Sequence, residues 1–188
     1  MTKPLWDKLT PNNLKWIRIA IAVTNTITGI VDASYTGWKP YFWYFVDWCL
    51  VMTLATQWGL VLVHLFPFYP GLSNAVNFIF QVALPMTLSV TIIYWLFFAN
   101  ASSMHWNTSE DYVHPIFLYI LPALLLIVEC CLNSIIYNLK YLIYLLVIYL
   151  AYMPMTYLGK FVLGYFPYYF ITWDTWYSYA ILFGLGML

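Results

Sequence analysis

Residues 114–138 read HPIFLYILPALLLIVECCLNSIIYN, a membrane-length apolar run with one carboxylate, Glu129, in its second half. Glu129 and Asn133 are four residues apart, so on a helix they share a face. An ionised group within a bilayer costs several kcal/mol unless it is paired, protonated or turned toward protein. This stretch therefore predicts a helix packed among other helices, with its polar face inward.

Composition supplies those neighbours. Of 188 residues, 64% are hydrophobic, 22% aromatic and only 7% charged, where a soluble domain carries about 25% charged residues. The reading is an all-α integral membrane protein, one polytopic domain over 1–188. Seven basic residues balance seven acidic ones, which gives no argument for nucleic acid. There is no Gly-rich phosphate loop, Walker lysine, nucleophile elbow or HExxH, so no nucleotide, cofactor or metal is expected. Cys49, Cys130 and Cys131 have no metal-ligand spacing and read as small apolar side chains at helix contacts.

Six spans are predicted, at about 14–32, 41–66, 72–98, 114–138, 141–158 and 173–188. In the first, Arg18, Asn25, Gly29 and Asp32 form a polar stripe at helical spacing. The second carries Asp47 near its start and Thr53, Gln57 and His64 along one face. In the third, Asn74, Asn77 and Gln81 share a face, and Pro85 predicts a kink. The segment 159–172, rich in Tyr and Phe, reads as interfacial. The last span is short for a crossing of about 20 residues. With the N-terminus inside, Lys3, Lys8, Lys15, Arg18 and Lys140 fall inside against Lys39 and Lys160 outside, in the sense of the positive-inside rule; six spans return the C-terminus to the same side. The polar loop 100–111 is then external, where Asn100-Ala-Ser and Asn107-Thr-Ser fit the glycosylation acceptor pattern.

Two sets of polar residues follow. Asp32, Asp47, His114 and Asp174 lie near the outer helix ends, where metal binding or acid–base chemistry competes with simple tolerance of charge beside water. Glu129, Asn133, Gln57, His64, Asn74, Asn77 and Gln81 form an inner set, read as hydrogen bonding between helices. Arg18 and Lys140 are expected to snorkel to the inner interface.

The motifs YFWYFVDW (41–48), LPMTLSVTIIYW (84–95), LPALLLIVECCLNS (121–134) and YFPYYF (165–170) resemble the androgen-induced and androgen-dependent membrane protein family and the related rolling stone proteins. That resemblance implies a multi-pass helical fold and, for some members, hydrolysis of branched fatty-acid esters by a membrane-embedded threonine and histidine. The family's threonine position, three residues before the helix-two aspartate, is Tyr44 here. Its histidine position is Tyr119 or Phe117, depending on the anchor, and His114 reaches it with a one-turn shift.

The expectation from sequence is thus a non-catalytic structural or accessory protein, a subunit of a larger membrane complex with lipids and other membrane subunits as partners. The alternative is a membrane-embedded lipid-ester hydrolase with His114 as base, Asp47 orienting it and Tyr44 or another hydroxyl as nucleophile. A small channel or transporter is a third reading. The membrane stays open between the mitochondrial inner membrane and the ER or plasma membrane.

Overall fold

A computed structural model describes residues 10–37, 40–95, 113–133, 137–168, 173, 174 and 176. Among them the chain is all-helical, with five helices long and apolar enough to cross a membrane: α1 (Pro11–Thr36), α2 (Phe45–Leu65), α3 (Pro70–Ile93), α4 (Val113–Leu132) and α5 (Leu142–Leu163). Of the expected sixth span at 173–188, residues 175 and 177–188 lie outside the described residues, as do the loop 100–111 and Asn100 and Asn107 within it.

Local chemistry sets the helix boundaries. Thr10 caps α1 by accepting from the Asn13 N–H at 3.2 Å, and Pro11 fills the first turn, where its missing N–H is harmless. The predicted second span begins later than expected. Residues 41–43 form a separate 3₁₀ turn, Tyr44 is extended at φ −100° and ψ 136°, and α2 starts at Phe45. The fourth helix ends earlier, at Leu132 rather than 138. Both the backbone N–H and the side chain of Asn133 donate to the Glu129 carbonyl, at 3.1 and 2.7 Å, and the Asn133 backbone then turns extended, which ends the helix. The fifth runs on past 158 to Leu163, with Pro154 inside it, and ends where Gly164 takes a left-handed φ of 81°. Residues 159–163, read as interfacial, are therefore helical. Pro85 likewise sits within an unbroken α3.

α1, α2, α3 and α4 pack antiparallel to their chain neighbours, with the most extensive contact between α2 and α3. Their centre is apolar: Leu60, Val63, Val76, Phe80, Ala83, Leu84 and Leu126 are buried together. Gly59 allows α2 and α3 to approach so closely that a Cβ there would stand 2.7 Å from Val76 Cγ2. A second cluster, Val46, Leu50 and Leu118, lies toward the end where α1 finishes and α2 begins. α5 stands at the side and exposes Leu142, Ile143, Leu146, Val147, Leu150, Leu158, Phe161 and Val162.

Aromatic contacts tie α5 to this end of the bundle. Tyr152 Oη donates to the Trp43 carbonyl at 2.6 Å, and its ring lies against Phe45 and Trp48. The chain then turns at Gly164 and returns over the entry to α2. There Tyr168 Oη accepts from the Phe45 N–H at 3.0 Å, and Pro167 lies over Gly159.

Candidate functional site: a histidine–carboxylate cluster in a lateral cleft

The end of the bundle where α1 finishes holds the densest chemistry. Asp32 (α1), Asp47 (α2) and His114 (α4) come from three helices. Asp32 and Asp47 are 2% and 1% exposed, and their side chains are close enough to interact. His114 Nε2 stands 3.2 Å from Asp32 Oδ1, with the histidine side chain 31% exposed. Tyr35 covers the imidazole, ring centroids 5.2 Å apart. Tyr41 lies on the other side, close enough to both aspartates that they, after its own burial, hold its phenol above the ordinary value.

This cluster opens on a cleft of about 390 Å³ between α1 and α4, lined by Thr24, Ile27, Thr28, Val31, Asp32, Tyr35, Val113, His114, Phe117 and Leu118. Its walls are mostly hydrocarbon, with Thr24 and Thr28 along α1 and the ionisable groups, Asp32 and His114, at one end. Directly after His114 the helix opens into a π turn at Ile116–Ile120, whose closing bond runs from the Leu121 N–H to the Ile116 carbonyl. Pro122 contributes to it by removing the N–H that would bond the Leu118 carbonyl. Phe117 thereby lines the cleft, whereas Tyr119, the other position given by the family motif, stacks on Tyr94 at 3.7 Å between centroids.

The partner of His114 differs from the expected one. The sequence reading paired it with Asp47; the residue in contact is Asp32, with Asp47 behind it. Tyr44 points elsewhere. Its ring packs edge-on against Tyr168, and burial, with a hydrogen bond to Tyr165, pushes its phenol up to about 12. Asp174 is exposed.

At the opposite end, Glu129 and Asn133 stand together as their spacing implies. Asn133 Nδ2 donates to Glu129 Oε2 at 2.9 Å. The third member is Arg18, which does not snorkel. It is 0% exposed, its Nε lies 3.5 Å from Glu129 Oε2, and its Nη2 donates to Asn133 Oδ1. Gln81 bridges two elements, donating to Asn77 Oδ1 at 3.2 Å and accepting from the Asn138 N–H at 2.7 Å. The remaining inner residues do not join them. Gln57 is buried with no hydrogen-bond partner among the described residues, His64 is half-buried and its Nδ1 has none, and Asn74 is exposed. Asn25 is also buried without one. Thr53 and Thr87 share a hydrogen bond of 3.0 Å between α2 and α3. Among the described residues no three or more His, Cys, Asp or Glu side chains are arranged so that they could hold a metal ion.

The fold and site together define an all-helical protein with five membrane-length apolar helices and a histidine–carboxylate cluster beside a lateral apolar cleft. No family model matches the chain, and no curated protein or solved structure matches it either.

Proposed function

We propose that this is a multi-pass integral membrane protein that holds a lipid in the cleft between α1 and α4 and acts, without turnover of its own, as an accessory subunit of a larger membrane assembly. The cleft carries this reading. It is about 390 Å³, walled mainly by Ile27, Val31, Val113, Phe117 and Leu118, with Thr24 and Thr28 along α1 and the His114–Asp32 pair at one end. Apolar walls with a few convergent polar groups are the form that small-molecule sites take. The broad apolar side of α5, of which only 17% of the most apolar stretch is buried within the chain, adds area for neighbouring subunits. The test is the size and lipid content of the protein extracted from its own membrane in mild detergent. Migration within a large assembly, with lipid co-purifying, supports the reading. Migration as a lone small protein, or an assembly free of bound lipid, contradicts it.

A second reading is favoured by one contact. A histidine held by a buried carboxylate is the pairing that general-base catalysis uses, and the family resemblance implies lipid-ester hydrolysis. In that case His114 takes the proton of an attacking hydroxyl or water and Asp32 orients the ring. An activity-directed hydrolase probe that labels the protein, and fails to label His114→Ala at normal assembly, would establish this enzyme and displace the accessory role.

A further inference from the structure

Polar side chains buried in a helical membrane bundle ordinarily bond across helices, as Thr53 does to Thr87 and Arg18 to Asn133. Two amides are exceptions. Asn25 on α1 and Gln57 on α2 are 0% and 1% exposed, and neither the oxygen nor the nitrogen of either amide has a hydrogen-bond partner among the described residues. All four atoms share this condition, so it holds whichever way round each amide lies.

The two amides sit at one depth. Trp58 Nε1 donates to Thr26 Oγ1 at 3.0 Å, which fixes α1 against α2, and Asn25 and Gln57 are the residues immediately before that pair. On antiparallel helices they are therefore about 3 Å apart along the bundle axis, at 1.5 Å per residue. Toward Arg18 and Glu129 the next buried side chains are hydrocarbon: Ile21 and Ala22 on α1, Leu60 on α2 and Leu126 on α4. In the other direction the next turn of each helix carries a buried hydroxyl, Thr28 on α1 and Thr53 on α2.

The chemistry of the pair selects its occupant. A primary amide presents two N–H donors and a carbonyl acceptor. A cation would serve the two oxygens alone and an anion the two nitrogens alone, leaving the other groups desolvated and unpaired. Water both donates and accepts, and a buried water takes about three hydrogen bonds from groups otherwise unsatisfied. Neither amide lines the cleft between α1 and α4, so a lipid seated there is not the partner.

We propose that Asn25 and Gln57 form a binding site for water at the centre of the bundle, where bound water bridges the two amides from α1 to α2. The site stands whatever the cleft holds. Its water does not extend to Arg18 and Glu129, from which the layer of Ile21, Leu60 and Leu126 separates it.

The test is a crystal structure of the full chain grown in a lipidic mesophase, at a resolution that shows ordered water. The expected result is a water peak within about 2.7–3.2 Å of an amide atom of both residues. That peak should be lost in Asn25→Leu/Gln57→Met, whose side chains keep the volume without the donors and acceptors. A direct bond between the amides with no water beside them overturns the proposal. So does an ion held by the oxygens alone, a peak that touches only one amide, or a peak that survives in the double variant. If that variant fails to fold, the wild-type map decides. A chain that does not crystallise is read in detergent micelles. There the side-chain NH2 signals of Asn25 and Gln57, assigned through the backbone, should both show cross-relaxation with water, of the sign given by a long-lived bound molecule. Absence of that effect at either amide overturns the bridge.

Discussion

Removing Glu129 tests the opposite end of the bundle most severely. Arg18 and Glu129 are 0% and 1% exposed, come from α1 and α4, and approach to 3.5 Å. At an effective dielectric of 20 two charges at that separation attract by about 5 kcal/mol, which offsets the desolvation of both. Glu129→Ala leaves the guanidinium buried with its charge uncompensated, and Asn133 Nδ2 loses the Glu129 Oε2 acceptor. Such a deletion costs about 3–5 kcal/mol. The lower figure suits a membrane bundle, where the unfolded state also finds partners. At 1.4 kcal/mol per factor of ten, 3 kcal/mol lowers the folded-to-unfolded ratio roughly 100-fold. Replacing both, Arg18→Met with Glu129→Leu, removes both charges together and should restore stability to within about 1 kcal/mol of wild type. Unfolding by dodecyl sulfate in mixed micelles, followed by tryptophan fluorescence, compares wild type, Arg18→Met, Glu129→Leu and the double variant, with Glu129→Ala beside them. Single losses below about 1 kcal/mol that simply add in the double variant would show the two residues do not interact, and the register of α1 against α4 drawn from them would be wrong.

Four further outcomes follow from contacts elsewhere. Gly59→Leu should destabilise by about 1–3 kcal/mol or more in the same unfolding assay, because even its Cβ meets Val76 at 2.7 Å, while Ser73→Ala, at a half-buried position, serves as the mild control. Gly159→Ala drives a methyl to 2.6 Å from Pro167 Cγ and 3.2 Å from Trp43, so the returning segment 164–168 should lift, read as faster proteolysis after α5 with the core transition nearly unchanged. Tyr152→Phe keeps the ring packing but deletes the hydrogen bond to the Trp43 carbonyl; a loss of about 1 kcal/mol is expected, and no loss would remove that bond from the account of how α5 docks. Gly164→Ala meets no neighbouring atom yet forces a left-handed backbone on a side chain, costing about 1–2 kcal/mol, so its effect isolates conformation from packing.

The sequence carried the fold class in its composition and the inner polar face in the spacing of Glu129 and Asn133. It also holds the partner of that face, Arg18. Arg18 lies seven residues into α1 and Glu129 three from the end of α4, so antiparallel packing sets them at similar depth. A cation near a helix end ordinarily snorkels; here a buried carboxylate on the adjoining helix holds it inside. The boundary of α4 was illegible for a related reason. Periodicity sees an apolar run continuing to 138, whereas the helix stops where Asn133, bonded back to the Glu129 carbonyl and carboxylate, turns extended. The longer α5 had a visible signal in Gly164, since a glycine just past an apolar helix is the usual residue for a left-handed cap.

The cleft cluster was legible as a set of residues but not as a geometry. Asp32, Asp47 and His114 share one end of the bundle on any antiparallel arrangement, and the motif around Asp47 drew attention to that aspartate. What decides between two carboxylates is the rotation of α1 about its axis, and the stripe Arg18, Asn25, Asp32 fixes it: all three are buried. Once Arg18 is held by Glu129 at one end of α1, Asp32, fourteen residues on, is almost four turns away at 3.6 residues per turn and faces the same neighbours. The ion pair and the histidine contact therefore constrain the same helix from its two ends. A variant that unlocks one should loosen the other, so Glu129→Ala should also weaken retention of lipid in the cleft. Retention at wild-type strength in a folded Glu129→Ala protein would show that the two ends of α1 are held independently.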